Sequence, residues 1–117
     1  MATEMNDILQ ELSNVLIEHR DGDVASSYVA KLNQLGLDKI LEKIAEESTE
    51  VLIAAKNCES TSNRSVLIGE VADLWFHCMV LLSHFDGNAL EVLECLRDRF
   101  GISGLEEKAS RKTEDCG

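Results

Sequence analysis

Proline is absent from all 117 residues, where average usage would give roughly six. Long helices can therefore run unbroken, and a Pro-rich linker is excluded. Aromatic residues are few, with one Trp, one Tyr and three Phe, which disfavours a β-sandwich. Positive charge is also scarce: 11 basic residues stand against 22 acidic ones, a formal net charge of −11. No broad basic face for nucleic acid is expected. A phosphate-rich small molecule would need metal ions or a few placed Lys and Arg side chains. Cys58, Cys78, Cys95 and Cys116 form no C-x-x-C pair, which argues against a structural zinc site. The first ten residues hold Glu4 and Asp7 and no apolar block, so no secretory leader is expected. The longest apolar run, Leu74 to Leu82 with His77 inside it, falls short of the about 20 residues that span a bilayer. These shortages predict a cytoplasmic protein with no membrane and no nucleic-acid partner.

What is present is helical periodicity. A chain of this length reads as one domain, 1–117, and the polar residues 112–117 read as a mobile tail. Ile8, Leu9, Leu12, Val15 and Leu16 have helical spacing, predicting a first helix from about Asn6 to His19. Arg20 to Val24, with Asp21, Gly22 and Asp23, reads as a loop. Ser26 or Ser27 can cap a short helix carrying Tyr28, Val29, Leu32 and Leu35, which stops at Gly36. Asp38 can cap a long helix to about Lys56, with Ile40, Leu41, Ile44, Val51, Leu52 and Ala55 as its apolar stripe. After a polar loop from Asn57 to Asn63, a second long helix is expected from about Arg64 to His84. Asp86, Gly87 and Asn88 make a turn, Asn88 caps a last helix from Ala89 to Phe100, and Gly101 ends it. Short connections between helices predict an all-α antiparallel bundle. The helix through Leu74, Trp75, Phe76, Met79 and Val80 is apolar nearly all round. Such a helix needs cover on several sides, so a homodimer is expected to complete the bundle.

Five carboxylates stand out against this pattern. Glu46, Glu47 and Glu50 read E-E-x-x-E on the first long helix, and Glu70 and Asp73 read E-x-x-D on the second. At about 100° per residue, the three glutamates fall within an arc of roughly 100° beside the apolar stripe. Glu70 and Asp73 lie roughly 60° apart, on a face shared with Leu74, His77 and Leu81. Two carboxylates about 4 Å apart repel by about 4 kcal/mol at an effective dielectric of 20. Desolvation adds to the cost of any that is buried and unpaired. A divalent cation removes both penalties at once, and all-oxygen ligands suit hard ions such as Mg²⁺ or Mn²⁺.

The bland alternatives are concrete. Three glutamates on a long helix are usually a solvated face, and Glu70 with Asp73 could be a pair satisfied by Lys or Arg. Two such motifs on neighbouring helices favour the metal site. A di-iron bundle requires E-x-x-H motifs, and no Glu here is followed by His at the third position. His77 lies one turn after Asp73, where a core histidine bonded to a neighbour is the more ordinary reading. No G-x-x-x-x-G-K motif is present. Lys31, Lys43, Lys56, Arg97 and Arg99 are the cations within reach of a phosphate chain, with Lys31 and Lys56 favoured because they flank the acidic helix.

The strings SSYVAKLNQLGLDKILEKIAEESTEVLIAAK at Ser26 to Lys56, EVADLWFHCMVLL at Glu70 to Leu82 and RFGISGLEEKASR at Arg99 to Arg111 resemble the phosphoribosyl-ATP pyrophosphohydrolase family. The E-E-x-x-E and E-x-x-D motifs resemble the wider all-α nucleoside triphosphate pyrophosphohydrolase superfamily. The resemblance implies hydrolysis of phosphoribosyl-ATP to phosphoribosyl-AMP and pyrophosphate, the second step of histidine biosynthesis. It places Glu46, Glu47, Glu50, Glu70 and Asp73 at metal-binding positions, with Glu47 or Glu50 as the proton acceptor. Lys31, Lys56 and Arg99 are the expected substrate-binding cations, and Lys108 and Arg111 are further candidates near phosphate. Ala45 departs from the glycine that many members carry before the paired glutamates. The cysteine and histidine motifs of a fused cyclohydrolase domain are absent, which implies a monofunctional enzyme. Two rival readings remain at this level: a housekeeping nucleoside triphosphate pyrophosphatase of the same superfamily, and a non-catalytic acidic helical dimer that binds a partner protein.

Overall fold

The computed structural model describes residues 2–22 and 27–101, with side chains from residue 8 onward. Five helices follow in order: α1 Ala2–Arg20, α2 Tyr28–Leu35, α3 Leu37–Thr61, α4 Ser65–His84 and α5 Ala89–Phe100. No strand occurs among the described residues, and the all-α class expected from the pattern is the class observed. Ser26, the proposed tail at 112–117, Lys108 and Arg111 lie outside the described residues.

The helix starts and stops are set by local chemistry. The Ser27 hydroxyl accepts from the Ala30 N–H at 3.1 Å and caps α2. Gly36 then does two jobs. Its N–H donates to the Leu32 carbonyl and closes α2, while its own carbonyl accepts from Lys39 and Ile40 and opens α3. Its φ of 99° and ψ of 178° belong to a region that side chains rarely enter. Asp38 was expected to cap α3 but sits inside its first turn, where a carboxylate still complements the helix dipole. The glycine switch moves the helix start one residue upstream of it. The α3 helix also runs five residues past Lys56 to Thr61, through a stretch whose polarity suggested a loop. Nothing there breaks a helix, and Lys56 and Glu59 form an i,i+3 pair at 3.0 Å. Ser62, in the left-handed region at φ 61°, ends it. Asn63 Oδ1 accepts from both the N–H and hydroxyl of Ser65 and starts α4. Asn88 and Glu91 form a full capping box on α5.

The most extensive packing is between α3 and α4, with α1 against α4, α2 and α5, and α2 against α3. All five helices contribute to one core: Leu16, Val29, Leu32, Ile40, Met79, Val80 and Ala89. The end of α1 is tied down by Arg20, which donates at 2.7 Å to both the Ser83 carbonyl and Asp86. His84 and Asn33, 3.2 Å apart, join α4 to α2. By length and composition α4 as a whole could cross a membrane, which the shorter run Leu74–Leu82 did not suggest. Its Glu70 and Asp73 face α3, however, and carboxylates at mid-helix are costly in lipid.

Gly36→Ala is expected to destabilise the fold by about 1–3 kcal/mol, although the added methyl group would meet open space. Urea unfolding measures this directly. An unchanged midpoint would show that the α2–α3 joint does not depend on glycine's backbone freedom.

Candidate metal centre

Both long helices are needed to build the acidic site. Glu47 from α3 and Glu70 and Asp73 from α4 each present an oxygen within 4.8 Å of the others. The helices run antiparallel, so advancing from Glu47 to Glu50 on α3 corresponds to retreating from Asp73 to Glu70 on α4. Glu50 accordingly faces the Glu70 carboxyl and also neighbours Glu47. Glu47 is buried, Glu70 half-buried, and Glu50 and Asp73 exposed. The group therefore opens to solvent on one side.

The cluster is under-compensated by the protein itself. Oε2 of Glu47 and Oε1 of Glu70 are buried without a hydrogen-bond partner, which is uncommon for carboxylate oxygens. Burial pushes the Glu47 carboxyl above the ordinary carboxylate range. Glu50 and Asp73 add to that, while His77 pulls it back. Burial likewise raises Glu70, helped by the facing Glu50 carboxyl and by Asp73 and Glu47. Converging carboxylate oxygens, on residues of which two also hold an orphaned oxygen, suit a hard divalent cation, and the residues fit such an ion.

The remaining sequence-chosen residues are placed differently. Glu46 is not in the converging group; it pairs with Lys43 at 3.3 Å, and that contact raises the Lys43 ammonium. Lys56 is exposed and pairs with Glu59. Lys31 is exposed on α2. Arg99, near the end of α5, has a buried Nε without a partner. No described hydrogen bond or ion pair links Lys31, Lys56 or Arg99 to the carboxylates. Ala45 is exposed on α3, so its methyl group displaces nothing.

His77 contacts Glu47, and Tyr28 contacts His77 in turn. His77 Nδ1 lies 2.9 Å from the Asp73 carbonyl and 3.5 Å from Glu47 Oε1, and Nε2 lies 2.8 Å from the Tyr28 hydroxyl. Sequence reading treated Tyr28 as one apolar residue of a short helix. No spacing rule could have found it, because α2 reaches the site only through the tertiary fold.

A profile of the phosphoribosyl-ATP pyrophosphohydrolase family matches residues 9–100. The chain belongs to that family. The phosphoribosyl-ATP pyrophosphatase of Burkholderia multivorans is 48% identical over 112 residues, covering 96% of this chain and 93% of that protein. The one from Hydrogenovibrio crunogenus is 48% identical over 111 residues, 95% of this chain and 98% of its own length. The family match spans every carboxylate of the site and ends at residue 100, inside the Arg99–Arg111 string.

The raised carboxyls have a sign-definite consequence for the metal-free protein. A group with a folded-state pKa above its unfolded value favours folding when protonated and loses that contribution as pH rises through the folded pKa. Glu47 and Glu70 therefore stabilise the fold increasingly as pH falls from neutral toward the ordinary value of 4.5. Thermal unfolding in chelator across this range should show it, and Glu70→Gln should flatten the slope. A Gln variant with the wild-type slope would exclude Glu70 as a contributor.

Proposed function

We propose that this chain hydrolyses the α–β phosphoanhydride of phosphoribosyl-ATP, releasing phosphoribosyl-AMP and pyrophosphate, at a Mg²⁺- or Mn²⁺-dependent centre on the α3–α4 face. One observation carries the metal reading: three carboxylate oxygens from two helices converge while two buried carboxylate oxygens have no partner. The substrate follows from the family and from relatives that carry that name over nearly their full length.

Glu47, Glu70 and Asp73 are the residues that would hold the ion. A bound divalent cation supplies charge neutralisation of the triphosphate and Lewis-acid polarisation at phosphorus. Glu50 sits beside this group without belonging to its closest set. Being exposed, it can meet water, and we assign it the attacking water's proton. Glu46, held by Lys43, supports the edge of the centre or joins it if a second ion binds. For the phosphate chain we keep Lys31, Lys56 and Arg99. Lys56 is held only by an exposed ion pair, which is weak and exchangeable. It lies about 14 Å along the α3 axis from Glu47.

A second copy of the chain completes the bundle in this reading. Trp75 is 63% exposed, Ile68 shares its face of α4, and Leu52 and Ile53 stand out on α3. An apolar groove of about 290 Å³ runs beside Trp75 between α1, α4 and α5. Exposed apolar surface of this extent on a small chain marks an association face. Sedimentation should give a dimer for the wild type and a shift toward monomer for Trp75→Glu. A monomeric wild type at micromolar concentration would exclude pairing.

Pyrophosphate release from phosphoribosyl-ATP is expected to require Mg²⁺ or Mn²⁺ and to stop in chelator. Glu50→Gln should lower kcat by about 10²–10⁴-fold. ATP and dUTP, assayed alongside, should be poor substrates. Preference for either would move the chain to a housekeeping role, and no metal-dependent turnover of any triphosphate would overturn the enzymatic reading.

A further inference from the structure

We propose that His77 and Tyr28 are positioning residues for the metal centre, clamping one oxygen of Glu47 so that the other is presented toward Glu70 and Asp73. The inference rests on the metal-carboxylate reading above and extends it to two residues outside the ligand set.

The two oxygens of Glu47 differ sharply in surroundings. Oε1 lies 3.5 Å from His77 Nδ1, a longer electrostatic contact, whereas Oε2 is buried and has no partner. His77 is itself tightly specified. Nδ1 faces the Asp73 carbonyl at 2.9 Å, and a carbonyl can only accept, so Nδ1 carries the hydrogen. In the neutral ring Nε2 is then the acceptor, and the Tyr28 O–H donates to it at 2.8 Å. Both ring nitrogens are thereby engaged, which sets the tautomer and the ring orientation together.

Packing holds that orientation. His77 is only 6% exposed. Its ring stands edge-on to Phe76 at 5.2 Å and to Tyr28 at 5.8 Å. Tyr28 stacks on Phe76 at 6.3 Å. The single imidazole therefore touches the backbone of one carboxylate residue, Asp73, and the side chain of another, Glu47. Tyr28 on α2, His77 on α4 and Glu47 on α3 form one chain of contacts through three helices. Partners behind a metal ligand orient it, and losing them weakens metal affinity by about 10–100-fold.

The test is Mn²⁺ titration of the chelator-treated protein, followed by electron paramagnetic resonance of the free ion, with steady-state kinetics on phosphoribosyl-ATP. The variants are Tyr28→Phe, His77→Leu and His77→Asn. His77→Leu should weaken Mn²⁺ binding by about 10–100-fold. His77→Asn, whose amide N–H can reach the Asp73 carbonyl in place of Nδ1, should recover most of the loss. Tyr28→Phe keeps the ring on Phe76 and loses only the hydroxyl. It should weaken Mn²⁺ binding by a smaller factor and lower kcat with little change in KM. Adding it to His77→Asn should cost nothing more, since its acceptor is already gone.

Wild-type Mn²⁺ affinity in both Tyr28→Phe and His77→Leu overturns the proposal and leaves the metal reading standing. The same holds if His77→Leu lowers only the unfolding midpoint. Should His77→Leu fail to fold, Tyr28→Phe decides by itself. No Mn²⁺ binding by the wild type overturns the metal reading and the positioning role with it.

Discussion

Carboxylates on facing turns of α3 and α4 repel one another and resist desolvation, yet the bundle holds Glu47, Glu70 and Asp73 within 4.8 Å. The force that holds them is the packing between the two longest helices. Burial of apolar surface is non-directional and proportional to area, so a long helix pair can override a local charge conflict. The core residues Ile40, Met79 and Val80 secure those helices at the end of the pair next to Glu47 and Asp73. The conflict leaves negative charge that a cation would neutralise. A protein that satisfied every carboxylate with Lys or Arg would be more stable and would have no place for an ion.

The rest of the fold serves to set the relative positions of these helices. Ser62, in the left-handed region, and Asn63, whose Oδ1 accepts from Ser65, make the α3–α4 connection short, which enforces an antiparallel register. Glu47 then meets Asp73, and Glu50 meets Glu70. Gly36 brings α2 back across α3 and so delivers the Tyr28 hydroxyl to His77. Arg20, bonded to the Ser83 carbonyl and Asp86, pins α1 against the end of α4 and shields the core from that side. The acidic face is left open, and so is the outward apolar face around Trp75 and Ile68.

Helix number, order and most boundaries were legible in the sequence, because period, caps and turn residues act locally. Asn88, Ser27 and Gly36 stand where capping chemistry put them. The misreadings were also local in origin. Asp38 is a good cap in isolation, but Gly36 begins the helix earlier. Asn57 to Thr61 is polar enough for a loop, yet polarity without a breaker does not end a helix already stabilised by packing. The carboxylates were recognised by type and spacing, and three of the five converge in the tightest group. Helical spacing alone could not separate Glu46 from Glu47, since both lie on one flank of α3; the Lys43 side chain takes up the first.

The sequence by itself determined the all-α class, the family and the two acidic motifs, all of which depend on residue identity and near-neighbour spacing. Only the tertiary structure decided which oxygens remain without partners, that Glu50 stands between Glu47 and Glu70, and that Tyr28 and His77 back the buried carboxylate. Those facts depend on distances between residues tens of positions apart in the chain. Periodicity specifies the face of a helix, but the contact across that face is set by how the helices pack.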